Sequence, residues 1–106
     1  MLLGLCAALG SAQAQQATRI VVPFNAGGGT DQYVRLLAAE LTKRGMQTIV
    51  ENRPGAAGTI GQAAVARAKS DGYTLLFSAA GPLAITPSVV AQLPYKPFDS
   101  FRPIKL

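Results

Sequence analysis

Gly27-Gly28-Gly29, followed by Thr30-Asp31, is the stretch whose residue types and spacing best suit binding chemistry. Glycine tolerates positive φ and lets another group approach the backbone closely. Thr30 or Asp31 is placed to cap a helix that starts immediately after. A glycine loop feeding a helix N-terminus presents unpaired N–H groups and the positive end of the helix dipole. Together these make an anion-binding corner.

Several anions and chemistries are ruled out or weakened by what surrounds it. A phosphate P-loop fails, because no Gly-Lys-Ser/Thr follows. A dinucleotide fingerprint is half matched. Gly27-x-Gly29 fits, but Gln32 stands where Gly or Ala closes the motif, and Glu51 falls near the place of a ribose-binding acid. Asp31 as a catalytic acid competes with the commoner role of Asp in capping a helix. Ser78 as a nucleophile lacks a histidine to activate it and a Gly-x-Ser-x-Gly elbow around it. Glu51 and Asp71 have no partner acid at a useful spacing, and Glu51 with Arg53 reads as a turn-stabilising pair. The chain has no histidine, and its single cysteine, Cys6, lies near the N-terminus. Cys/His metal sites and histidine acid–base chemistry are therefore excluded within it. No catalytic constellation, metal or cofactor is expected. The plain alternative is that the glycines only make a tight turn.

The elements that must hold this loop follow from periodicity. Ile20-Val21-Val22 is a short β-branched run suited to a strand buried on both faces, over about Arg19 to Pro23. Val34, Leu37, Ala38 and Leu41 recur at helical spacing and predict a helix over about Thr30 to Arg44. Asp31–Arg35 and Glu40–Arg44 are i,i+4 pairs in the favourable order, and Gly45 is a natural residue to follow the helix end. A second strand is expected at about Gln47 to Glu51. Pro54-Gly55 then reads as a type II turn. Thr59 and Gln62 are spaced as a capping box for an alanine-rich helix to about Lys69. Asp71-Gly72 turns into a third strand, about Tyr73 to Ser78. The pattern is an α/β, three-layer βαβαβ unit with a parallel sheet in the expected order 2-1-3. The loops after strands 1 and 3 then leave the same carboxyl edge, where ligands of open α/β sheets bind. Beyond it, a short helix is expected within Ile85 to Leu93 with Pro87 in its first turn, then a proline-punctuated extended stretch.

Composition sets the setting. The chain has 106 residues, 49% of them hydrophobic, and a net charge of +5. The basic residues are scattered without aromatic interleaving, so nucleic acid is not an expected partner. A mild positive field still favours anionic ligands. Residues 1–14 read as a signal peptide: Leu2 to Leu9 is an apolar stretch too short to span a bilayer, and Ala12-Gln13-Ala14 is a small-x-small site with cleavage after Ala14. No Lys or Arg lies near Met1, and a start further upstream would supply one. A helix of the folded domain is the alternative for this segment. Cys6 inside it reads as a bystander, since Leu5 precedes it where a lipoprotein site needs a small residue.

Four stretches carry a family resemblance. They are Val-Val-Pro-Phe-Asn-Ala-Gly-Gly-Gly-Thr-Asp (21–31), Val-Glu-Asn-Arg-Pro-Gly-Ala-Ala-Gly-Thr-Ile-Gly (50–61), Asp-Gly-Tyr-Thr-Leu-Leu (71–76) and Leu-Pro-Tyr-Lys-Pro-Phe-Asp-Ser-Phe-Arg-Pro-Ile (93–104). In order and spacing the chain resembles the periplasmic, Bug-type receptors of tripartite tricarboxylate transporters. The resemblance implies a two-lobed periplasmic-binding-protein-like fold, of which residues 15–106 are an incomplete lobe I. It implies a non-enzymatic receptor, monomeric at full length, that captures a small organic carboxylate and delivers it to membrane permease subunits. Carried onto this chain, the first grip on the ligand is Phe24, Asn25, Ala26, Gly27, Gly28, Gly29, Thr30 and Asp31. Ser78, Ala79, Ala80, Gly81 and Pro82 line the cleft beside it, and the second grip lies outside this sequence. Asn25 stands where proline is frequent in the family, Ala57 where glycine is usual, and Thr86 where asparagine is frequent. The competing expectations are a Rossmann-like nucleotide-binding unit of an enzyme and a truncated gene product without activity.

Overall fold

The structure, a computed structural model, describes residues 16–105. The signal-peptide reading of residues 1–14, with Cys6, lies outside the described residues. The element order is β1 (Thr18–Val22), α1 (Gly29–Lys43), β2 (Thr48–Asn52), α2 (Thr59–Arg67) and β3 (Thr74–Leu76). A 3-10 turn, Ala56–Gly58, leads into α2, and a π-helical turn, Gly81–Ile85, leads into α3 (Thr86–Val89). The three strands are parallel, as short crossovers require, and stand in the expected order β2-β1-β3.

β1 is central and supplies the core. Ile20, Val21 and Val22 are all buried. Strand alternation sends Ile20 and Val22 to one face and Val21 to the other. Ile20 and Val22 pack with Val34 of α1, and Phe24, Leu41, Val50, Leu75 and Phe77 close around them. α1 lies against β1 and β2, while α2 lies against β1 and β3. Within the expected α1 stripe Val34 and Ala38 are buried, but Leu37 is 37% exposed, at the margin of the apolar face.

The ends of α1 depart in part from their local signals. Gly28, not Thr30 or Asp31, is the N-cap, and its carbonyl accepts the first helical bond from Gln32 N–H. Asp31 is unavailable as a cap because its carboxylate reaches back past the helix start. At the other end Glu40 pairs with Lys43 at 2.8 Å and not with Arg44, which has left the helix as its C-cap. Gly45 closes the helix as expected: at φ +90° its N–H meets Thr42 O, and Met46 N–H meets Leu41 O. These two bonds are the Schellman pattern.

The loop from β2 to α2 departs furthest from expectation. Gly55 has φ 122° and ψ 153°, which is not the second corner of a type II turn. Gly55, Ala56, Ala57 and Gly58 all have positive φ in succession. The chain thus enters α2 through a left-handed turn, closed by Gly58 N–H on Gly55 O at 3.0 Å. The Thr59–Gln62 capping box does not form. Thr59 Oγ1 donates to Ala56 O, and Gln62 is drawn into the interior. A left-handed alanine costs about 1–2 kcal/mol, against about 0.4–1 kcal/mol of added unfolded-chain entropy for glycine. Ala57→Gly should therefore raise stability by roughly 0.5–1 kcal/mol. A urea titration against the parent chain measures this, and a loss of stability would show that Ala57 is unstrained.

Candidate carboxylate-binding edge

All three βα loops leave the carboxyl edge of the sheet, and the site is built from them. Pro23 ends β1 and the chain then runs out over Phe24 to Gly28 before α1 begins. Ala26, Gly27, Gly28 and Gly29 are exposed and Thr30 is half-buried. Because Gly28 O takes the first helical bond, the N–H groups of Gly29, Thr30 and Asp31 precede the intrahelical ladder. They point along the axis of a 15-residue helix towards the sheet edge, at the positive end of its dipole. Gly27 has φ +90°, the left-handed conformation in which its N–H reaches the Asp31 carboxylate.

Asp31 holds this loop in shape. It is buried, and its carboxylate accepts from Gly27 N–H at 2.9 Å, Arg35 Nε at 2.9 Å and Asn52 Nδ2 at 2.8 Å. Asn52 also donates to Phe24 O at 3.2 Å and accepts from Arg35 Nη2 at 3.0 Å. One network therefore joins the end of β2, the glycine loop and the second turn of α1. The bond from Arg35 first, then those from Gly27 and Asn52, lowers the Asp31 carboxyl from 3.8 to about 2. Both Asp31 oxygens are used by the protein itself. Its place is beneath the loop as a positioning residue, rather than among the groups turned outward to a ligand.

The linkage has a definite sign. A carboxyl whose folded pKa is depressed adds stability above its unfolded value and loses it as the pH falls through the folded one. The Asp31 contribution is thus complete above about pH 4 and disappears towards about pH 2. Asp31→Asn should flatten this acid-side loss. Urea midpoints at pH 5 and pH 2.5 check it, and equal acid sensitivity in the two proteins would remove Asp31 from the network.

The second loop behaves differently from the first. Ser78 is half-buried and its Oγ accepts from Gln62 Nε2 at 3.2 Å, which ties the end of β3 to α2. Ala79 and Ala80 are exposed and Gly81 is half-buried. Of the expected residues, Phe24, Asn25, Gly81 and Pro82 also meet in a groove of about 400 Å³ between the three loops. Its other walls are Pro23, the left-handed turn with Pro54, Gly55, Ala57 and Gly58, and Ile85 and Thr86 after Pro82. Asn52 and these other walls escaped the sequence reading. The parallel register Val22↔Asn52 is what sets Asn52 beside the glycine loop, and it becomes readable only once the strands are paired.

Glu51 offers nothing to a ribose. Arg19 sits 3.1 Å from it and Arg53 2.7 Å, so it is held in a surface ion cluster beside β1. Among the described residues there is no group of three or more His, Cys, Asp or Glu that could hold a metal.

An open parallel sheet with unpaired helix N–H groups at its carboxyl edge is the build of a ligand-binding α/β lobe. The chain belongs to the tripartite tricarboxylate transporter receptor family, whose profile matches residues 33–106. It is 41% identical to protein BugT of Bordetella pertussis over 90 residues, 83% of this chain and 28% of that one. Among solved structures, the periplasmic binding protein BugD is 43% identical with a TM-score of 0.78, over 86% of this chain and 30% of BugD. MatC from Rhodopseudomonas palustris, solved with bound malate, is 37% identical with a TM-score of 0.74, over 80% of this chain and 29% of MatC. The chain thus spans under a third of the length of these relatives.

Proposed function

We propose that this chain supplies the first-lobe grip of a periplasmic receptor for a small organic carboxylate. In this reading Gly28, Gly29 and Thr30 offer their N–H groups to one carboxylate, with Asn25 and the Gly81 loop beside it. Ala26 and Gly27 shape the approach, and Asp31 keeps the loop open from below. Ser78, Ala79 and Ala80 form the facing rim. A second lobe closes over the ligand and completes the grip. The receptor is exported, loses residues 1–14, and works as a monomer that hands its ligand to transporter permease subunits without catalysis. The observation that carries the reading is the α1 N-terminus. It is a long helix whose first N–H groups open onto the sheet edge, in a chain of a receptor family with a malate-bound member.

The test is calorimetry on a chimera in which residues 16–105 replace the matching part of MatC. A panel of small mono- and dicarboxylic acids is compared with their uncharged amides. At least one acid should bind with a Kd below about 1 mM, a binding free energy of about −4 kcal/mol, while its amide does not. Equal binding of acids and amides, or binding of a nicotinamide dinucleotide alone, would overturn it.

A further inference from the structure

The groove between the three loops differs in chemistry from the helix mouth beside it. Its walls are three proline rings, Pro23, Pro54 and Pro82, with Phe24 and Ile85. The polar side chains on it are those of Asn25 and Thr86, and no charged residue lines it. Arg53, next to Pro54 in the chain, has its guanidinium 2.7 Å from Glu51. Pro23 and Pro82 are buried, so these walls are fixed in place rather than loose surface rings. Asn25 lies where the groove meets the glycine loop. The site is thus divided into an anion end and an apolar end, side by side along the sheet edge. A hydroxyl or second carboxylate placed in the groove would leave water and find few partners, whereas a hydrocarbon group would lose nothing. Concave, mostly apolar surfaces with a few polar groups at one end are how small-ligand sites select orientation.

We infer that the groove seats the apolar body of the ligand, so that this receptor takes an aryl- or branched-alkyl carboxylic acid in preference to a hydroxy dicarboxylic acid. The inference rests on the proposed carboxylate grip and adds the substrate class. Ile85 gives a handle on the groove alone, because it stands on the groove wall, is largely exposed and has no part in the carboxylate grip. Ile85→Ser would make that wall polar and leave the α1 N-terminus untouched.

The experiment is a set of ¹⁵N–¹H spectra of the full chain titrated with acetate, malate, phenylacetate and benzyl alcohol. All three acids should shift the amides of Gly28, Gly29 and Thr30. Phenylacetate alone should also shift Gly55, Ala57 and Ile85, and should saturate at a concentration at least tenfold lower than malate. Ile85→Ser should erase that advantage and keep the acetate response. If Ile85→Ser disturbs the whole spectrum, Ile85→Ala at the same exposed position carries the expectation of a reduced advantage. Phenylacetate binding no tighter than malate, or an advantage that survives these substitutions, overturns the substrate class and leaves the carboxylate grip standing. Benzyl alcohol shifting the groove as strongly as phenylacetate overturns the coupling of groove to anion. No response of Gly28 to Thr30 to any acid overturns the grip and this inference together.

Discussion

Gly29→Leu should remove carboxylate binding while leaving the fold as stable as before. Gly29 is the first residue of α1, and a Cβ built there meets nothing within 4 Å. Its φ is not in the left-handed region, so leucine introduces no backbone strain. Stability should hold or rise slightly, since glycine in a helix is roughly 0.5–1 kcal/mol worse than alanine. Binding is another matter. Helical side chains lean towards the N-terminus, so the leucine lies over the helix mouth where an anion would sit. Hydrogen bonds to a charged group contribute about 1.5–3 kcal/mol each. Losing two of them corresponds to about a hundredfold or more in affinity. Calorimetry on the MatC chimera with its strongest acid, alongside a melting curve, reads both effects. Unchanged affinity would take the glycine loop out of the site.

Gly61→Ala should destabilise the scaffold through a single added methyl. A Cβ at Gly61 would stand 2.8 Å from Arg53 O, 2.8 Å from Pro23 Cβ and 2.9 Å from Pro23 Cα. Two of these three atoms are backbone, and the third belongs to a closed ring, so no rotamer change relieves the overlap. α2 would have to lift from β1, disturbing the Val21 face of the core and the Pro23 wall of the groove. Overpacking of this kind costs about 1–3 kcal/mol. Alanine returns about 1 kcal/mol of helix propensity, so a clash at the top of that range leaves a net loss of about 2 kcal/mol. Because the atoms met are fixed, a cost at that end is expected here, with a fall in melting temperature of roughly 8–16 °C. Gly29→Ala, in open space, is the control and should fall within about 0.5 kcal/mol of the parent. An unchanged midpoint for Gly61→Ala would mean that α2 sits further from the sheet.

The frame of this lobe is legible in local sequence because its signals are local. Ile20-Val21-Val22 is apolar throughout, so it had to be a central strand. Two short crossovers then give parallel pairing, and the structure has the expected order β2-β1-β3. Gly45 after Lys43-Arg44 marks the end of α1 without help from the rest of the molecule. What escaped is what depends on residues far apart in the chain. Asp31 has the spacing of a cap, but Asn52, 21 residues on, and Arg35 claim its carboxylate. Gln62 has the spacing of a capping box, yet Ser78 draws it inward. Ala56 and Ala57 carry no sign of left-handed backbone, because alanine avoids it when free. The turn leads into a close approach of Gly58 to Pro82 and of Gly61 to Pro23, contacts between segments far apart in the chain. The same holds for the site. The glycine loop and the helix start behind it were readable from three glycines and the α1 pattern, whereas the groove exists only once three separate loops meet.

A carboxylate held by backbone N–H groups at the start of α1 would be visible in a crystal structure of the chimera with its tightest acid. A carboxylate oxygen should then lie within hydrogen-bond distance of the N–H groups of Gly29 and Thr30, with Asp31 still bound to Gly27, Arg35 and Asn52. A ligand whose carboxylate lies away from these groups, held only by side chains or by the other lobe, would contradict the proposed grip.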